Sequence, residues 1–403
     1  MAENRSAYGE NTRAVHIPMP DPPEQQPLGL PIYRTAAFAF RSAREYSDIL
    51  GDRAPGYTYS RVDNPTAAAF AAAVAELESV GVDTEVRGQP FASGMAAITT
   101  VLMTLTRAGS HVVAPCELYG GTYSALAYLL SRFGVATDFV PASDLEAVRA
   151  AVRPETALVW GETLANPTMT VADLPALADI AHRAGVPLVV DSTFASPAVC
   201  RPLEHGADLV VHSATKYIGG HSDVTGGVVV GSPELIGRVR ATRIDLGGSL
   251  APDEAFLLHR GLATLPLRMA RHCANAQAFA EGVASHPRVT RVDYPGLPTP
   301  RDHALAGKLF DPGRYGAVVT ITPAGGRAAG EGLCDALRLV RIATSLGGTH
   351  SKVSHIAGTV HRQLDDAALC AAGIDPGAVR VSEGLEDPED LVNDVSRALD
   401  SLG

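Results

Sequence analysis

Between residues 111 and 231 six short apolar runs follow one another: "HVVAP", "VATDFV", "ALVWGET", "PLVVDST", "DLVVHS" and "GVVVG". Their β-branched residues suit a pleated sheet, and runs of this length fit strands buried on both faces. Amphipathic segments lie between several of them. In "DLPALADIAHRAG", Leu174, Leu177, Ala178 and Ala181 fall on one helical face and Gly185 closes the end. This alternation predicts a mostly parallel sheet with helices on both faces. Such sheets place their chemistry at the carboxyl ends of the strands. After about residue 250 the runs thin out, and Ala/Leu-rich helical stretches lead to "YGAVVTITPAG". The chain closes on "DPEDLVNDVSRALDSL", where Leu391, Val392, Val395 and Leu399 fit one helix stripe, so a second, smaller α+β domain is expected. A chain of 403 residues has the length for two packed domains.

Composition narrows the function. A balance of 46% hydrophobic to 19% charged residues is globular, and no apolar run reaches spanning length. The first residues lack a basic region followed by an apolar core, so a cytoplasmic protein is the expectation. Prolines between residues 17 and 31 suggest an extended arm. A formal charge of −11 argues against nucleic acid or an anionic membrane as partner. Cys116, Cys200, Cys273, Cys334 and Cys370 are scattered, with no C-x-x-C pair and no zinc-ligand spacing, so reduced thiols and no metal are expected.

The stretch "DLVVHSATKYIGGHSDVTGGVVVG", Asp208 to Gly231, sets Lys216 just beyond an apolar run and ahead of glycines, small hydroxyls and His221. Lysine is rarely buried unless paired, so at a strand's carboxyl end it serves either the surface or chemistry. Asp191 closes "PLVVD", while Ser213, Thr215 and Lys216 follow "DLVVH". If those strands are neighbours, an acid, two hydroxyls and an amine share one crevice. A lysine that forms a Schiff base, an acid facing a pyridinium nitrogen and donors for a phosphate are what pyridoxal phosphate requires. A further phosphate cradle is available in "FASGMAAITTVLMTL", where Ser93, Gly94 and Met95 open an apolar helix with free N–H groups.

Eight motifs carry a resemblance: "YTYSRVDNPT", "FASGMAAI", "ELYGGTY", "ETLANPT", "VVDSTFASP", "HSATKYIGGHSDVTGG", "TSLGG" and "VRVSEGLEDPEDL". From about Pro31 to the C-terminus the chain resembles the Cys/Met-metabolism family of pyridoxal-phosphate enzymes, which includes cystathionine and methionine γ-lyases, cystathionine γ-synthase and homoserine-ester sulfhydrylases. The resemblance implies an α/β, aspartate aminotransferase-like fold of PLP-dependent transferases. It implies an N-terminal arm over 1–62 that contributes to a neighbouring subunit, a cofactor-binding large domain over 63–255 and a small domain over 256–403. A homotetramer built from two dimers with shared sites goes with it.

The same resemblance implies roles residue by residue. Lys216 looks like the lysine that holds the cofactor and then works as a base. Asp191 resembles the acid that keeps the ring nitrogen protonated, and Ser213, Thr215, Gly94 and Met95 match the phosphate cradle. Tyr59 and Arg61 match residues that reach the phosphate of the adjacent subunit. Tyr119 looks like the tyrosine stacked on the ring, able to relay a proton. Asn166 matches the residue beside the ring hydroxyl, and Arg380 with Ser345 matches the clamp for the substrate α-carboxylate, a task suited to arginine's planar fork. The implied reaction is γ-elimination on a γ-substituted amino acid such as methionine, cystathionine or an O-acylhomoserine, through a vinylglycine-type intermediate. γ-Replacement by a synthase is the alternative, and a non-catalytic cofactor-binding relative is a third reading.

Departures from the family pattern fall where substrate choice is set. Ser124 stands where relatives that handle cystathionine often carry arginine, and Thr344 where they often carry an acid. Gly121 stands where methionine γ-lyases commonly have cysteine. His350, Lys352 and Glu383 are also unusual for their motifs. Without a cation at Ser124, uncharged γ-substituents are expected to outrank cystathionine.

Overall fold

Seven strands form the larger sheet: β1 (Arg87–Phe91), β2 (His111–Pro115), β3 (Ala136–Val140), β4 (Thr156–Glu162), β5 (Leu188–Asp191), β6 (Leu209–His212) and β7 (Gly227–Gly231). The structure is a computed structural model that describes residues 27–298, 302–359, 369 and 373–402. Cys370 and most of the proline-rich segment lie outside the described residues. The strand order is β1-β7-β6-β5-β4-β2-β3, and only β7 runs against its neighbours. All six apolar runs become strands. The valine runs divide by period two: Val190, Val210 and Val230 face one core with Phe70 and Leu177, while Val189, Val211 and Val229 face the other with Ile98 and Val101.

Helix starts carry their own signals. The Asn64 side chain accepts the Thr66 N–H ahead of helix Pro65–Glu78, whose proline sits in the first turn. The Ser93 hydroxyl accepts the Ala96 N–H ahead of helix Gly94–Leu105, and Asp173 does the same for Ala176 in helix Leu174–Arg183. Each cap satisfies an otherwise orphaned N–H, worth about 1 kcal/mol.

The second sheet comprises β8 (Val289–Asp293), β9 (Val318–Pro323), β10 (Arg341–Ile342), β11 (Lys352–His355) and β12 (Val379–Ser382), in the order β10-β11-β12-β9-β8. The stripe expected in the last helix lies on Pro388–Asp400, with Leu391, Val395 and Leu399 buried in this sheet's core. Helix Leu265–Ala284 serves both cores. Leu265, Met269 and Cys273 pack beneath the larger sheet, and Ala276, Phe279 and Ala280 beneath the smaller one. Residues 32–403 make one compact unit that holds both sheets. Among the described residues no helix is long and apolar enough to cross a membrane, and Cys116, Cys200, Cys273 and Cys334 are free thiols.

Candidate active site

β5 and β6 are parallel neighbours, with Asp191 level with Val211, so the acid and the lysine motif do open into one crevice. A cavity of about 410 Å³ lies at the carboxyl ends of β1, β2, β4, β5 and β6. Gly94, Met95, Tyr119, Asn166, Asp191, Ser213, Thr215 and Lys216 line it from the larger sheet, and Ser345 and Arg380 close it from the smaller one. Tyr59 and Arg61 lie outside it. Tyr59 is exposed, and Arg61 Nη1 donates to the Ile244 carbonyl at 2.9 Å.

The chain has only three lysines, Lys216, Lys308 and Lys352. Lys216 Nζ donates to Ser345 Oγ at 2.7 Å. Burial, then the positive charges of Arg380 and Lys352, bring its pKa down to about 8, with Asp191 opposing. A substantial neutral fraction of the amine is therefore present near that pH. Two close approaches hold the lysine's surroundings. A Cβ on Gly347 would come 2.7 Å from the Tyr217 nitrogen, and one on Gly94 would come 2.6 Å from Ser213 Cβ, so glycine lets both loops pack against the lysine segment. Ser345 itself has φ +75, a left-handed conformation that serine seldom adopts and that functional sites often retain.

Asp191 is buried, and its Oδ1 accepts the Thr193 N–H at 2.9 Å. Burial pushes its pKa up, while Thr193, His212 and Lys216 pull it back. A cation facing it would favour the charged form further. Arg380 is also buried. Nη1 donates to Asn166 Oδ1 at 3.1 Å and Nη2 to the Ser345 carbonyl at 3.3 Å, while Nε has no partner among the described residues. A buried guanidinium with an orphaned donor fits a carboxylate ligand. Burial, then the charges of Asp191 and Glu162, raises the Tyr119 phenol, so it stands protonated and able to donate. Gly121 leaves room for that ring, since a Cβ there would come 2.5 Å from it.

Reading the sequence missed three supporting groups. Glu162 ends β4 level with Asp191, and its Oε1 accepts the Tyr119 N–H at 2.7 Å. Burial, then the Asp191 charge, holds Glu162 well above the usual carboxylate range. Its place at the end of "ALVWGET" was a signal equal to that of Asp191. Arg268 donates to the Tyr217 carbonyl at 2.7 Å and fixes the turn after Lys216. Glu78 Oε1 lies 2.7 Å from His212 Nε2, a buried hydrogen-bonded pair that anchors the end of β6 just before Ser213.

Of the unusual positions, Ser124 is exposed and outside the cavity, whereas Thr344 lines it. His350 is exposed and pairs with Thr349 Oγ1 at 3.1 Å. Glu383 is fully buried outside the cavity; burial and the nearby Glu386 keep its carboxyl well above the usual range. His221 closes a local turn on the Gly219 carbonyl at 2.8 Å.

The residues present fit a pyridoxal phosphate group: a softened lysine amine, a buried acid, and a helix N-terminus with two hydroxyls beside glycines that a Cβ would fill. Comparison with known proteins agrees. Residues 11–400 match the Cys/Met metabolism PLP-dependent enzyme family. L-methionine gamma-lyase of Porphyromonas gingivalis is 41% identical over 381 residues, covering 93% of both chains. Cystathionine gamma-synthase of Mycobacterium bovis is 38% identical over 404 residues, covering 99% of this chain and 100% of that one. A Campylobacter jejuni structure assigned as an O-acetylhomoserine (thiol)-lyase, solved with a pyridoxyl-lysine phosphate, superposes with a TM-score of 0.89 at 29% identity, covering 98% of this chain and 100% of that one.

Proposed function

The chain belongs to the Cys/Met-metabolism family of PLP-dependent enzymes, and on that premise we propose that its cavity carries out γ-elimination on a γ-substituted α-amino acid, with Lys216 as base and Arg380 as carboxylate clamp. One observation carries the reading. Ser345 joins the two groups, its hydroxyl accepting from Lys216 and its carbonyl from Arg380. A carboxylate on Arg380 therefore sets the neighbouring α-carbon beside the lysine amine.

Lys216, Asp191, Ser213, Thr215 and the Gly94–Met95 turn would hold the cofactor, which when bound supplies a sink for the electrons left at the α-carbon. Lys216 would anchor the group and, with its amine free, would remove the α-proton. Asp191 would face the ring nitrogen, and a cation there would favour its charged form. The Tyr119 phenol, protonated in this setting, donates toward the departing γ-group. Ile98, Leu164 and Phe194 on the cavity wall suit an apolar substituent such as a thioether. With one water consumed, the products are a 2-oxo acid, ammonia and the protonated γ-group, which for a thioether is a thiol. The test is a panel of γ-substituted amino acids assayed with and without added thiols. Equimolar 2-oxo acid and ammonia are expected, and formation of a new amino acid with no 2-oxo acid would favour the replacement reading instead.

We further propose that residues 1–62 reach a neighbouring subunit, that 63–255 bind the cofactor and that 256–403 close the site, in a dimer of dimers. Tyr59 and Arg61 then complete a partner's phosphate cradle, which accords with their position outside this chain's own cavity. Mixing Lys216→Ala and Arg61→Ala chains, with subunit exchange verified, should restore up to about a quarter of wild-type activity, as random pairing would give. Mixtures no more active than either parent would contradict the shared site.

A further inference from the structure

Lys352 is the second of only three lysines to fall at this site, in a chain whose other 30 basic residues are arginine. It opens β11, and the antiparallel register sets Lys352 opposite Ser382 and Ser354 opposite Arg380. Opposed residues of an antiparallel ladder share a sheet face, so Lys352 stands on the Arg380 face as its diagonal neighbour, roughly 7–8 Å away. Its Nζ donates to Ser222 Oγ at 2.8 Å, on the loop that follows the Lys216 turn. A Cβ on Gly348 would come 3.0 Å from that Nζ, and glycine leaves the space open. The hydroxyl is the ammonium's one described partner, and among the described residues no carboxylate pairs with it within 4.0 Å. Two of its three donors thus remain for a ligand. Its charge reaches the cavity, since it contributes to lowering the Lys216 pKa.

We propose that Lys352, beside Arg380 on the sheet face that closes the cavity, is a specificity-determining residue that takes a carboxylate at the far end of the substrate's γ-substituent while Arg380 holds the α-carboxylate. The inference rests on the reading of the cavity as an α-amino-acid site. It revises the expectation drawn from Ser124: Ser124 lies outside the cavity, and the cation is supplied instead from β11, beside Arg380. Thr344 presents no acid for a distal ammonium. The favoured substituent is therefore apolar along its length and ends in a carboxylate alone.

Ligands that lack a γ-leaving group separate this inference from the reaction. Calorimetric titration of the holoenzyme with 2-aminopimelate, which ends in a carboxylate, and with norleucine, which does not, should show a tenfold or greater preference for the former. In Lys352→Gln that preference should vanish with norleucine affinity changed less than about twofold, which also reports an intact fold, and in Lys352→Arg most of it should survive. An undiminished preference in Lys352→Gln, or none in the wild type, overturns the assignment. Failure of norleucine to bind at all would remove the amino-acid reading and this inference together. Retained Lys352-dependent binding without any 2-oxo acid from a cleavable substrate would sink the elimination reading alone.

Discussion

Replacing Lys216 by alanine is expected to leave a folded protein that has lost both its visible absorbance and its turnover. Neither of the other lysines can substitute, since Lys308 lies on helix Asp302–Leu309 and neither it nor Lys352 lines the cavity. Loss of a positioned base alone costs on the order of 10²–10⁴-fold in rate, and loss of the covalent anchor adds to that. A fall of roughly 10⁴-fold is anticipated. The depressed amine predicts a second result in the wild type. With a pKa near 8, the neutral nucleophile grows as pH rises, so the apoenzyme should take up pyridoxal phosphate faster as pH increases through about 8 and level off above it. A rate independent of pH from 6 to 10 would contradict the softened lysine.

Asp191→Asn is the second large effect. The substitution keeps the shape and an oxygen for the Thr193 N–H, which Oδ1 now accepts at 2.9 Å, but it removes the negative charge proposed to face the ring nitrogen. Lys216 is untouched, so the protein should remain coloured. Turnover should fall on the order of 10²–10³-fold, the scale seen when one preorganised electrostatic contact is lost. Glu162, on the neighbouring strand, is no replacement, because burial holds its carboxyl well above the usual carboxylate range and its Oε1 is engaged by the Tyr119 N–H. Turnover within threefold of wild type would take Asp191 out of its role.

How much of this was legible beforehand depended on where each residue stands. Lys216 and Asp191 could be read because each ends an uninterrupted apolar run, and strand ends are where such sheets do chemistry. Glu162 met the same criterion and was passed over. β1 was missed because "RGQPF" carries Gly88 and Pro90, which read as breakers; it is tolerated because β1 is an edge strand, where proline need not donate. β8 and β11 were missed because they are short and carry polar residues. Arg380 was legible only through its motif, since nothing local in "VRVS" says that it crosses to the other sheet's crevice. Lys352 needed the register: a one-residue slip in β11 would point it to the opposite face.

The central claim, that one cavity uses Lys216 as its cofactor anchor, has a direct measurement. The holoenzyme is reduced with borohydride, digested, and searched by mass spectrometry for a phosphopyridoxyl group on the three possible lysine side chains. Stoichiometric label is expected on the peptide containing Lys216 and none on those containing Lys308 or Lys352. Label on either of the latter, or a Lys216 peptide recovered unmodified from active, coloured enzyme, would contradict it.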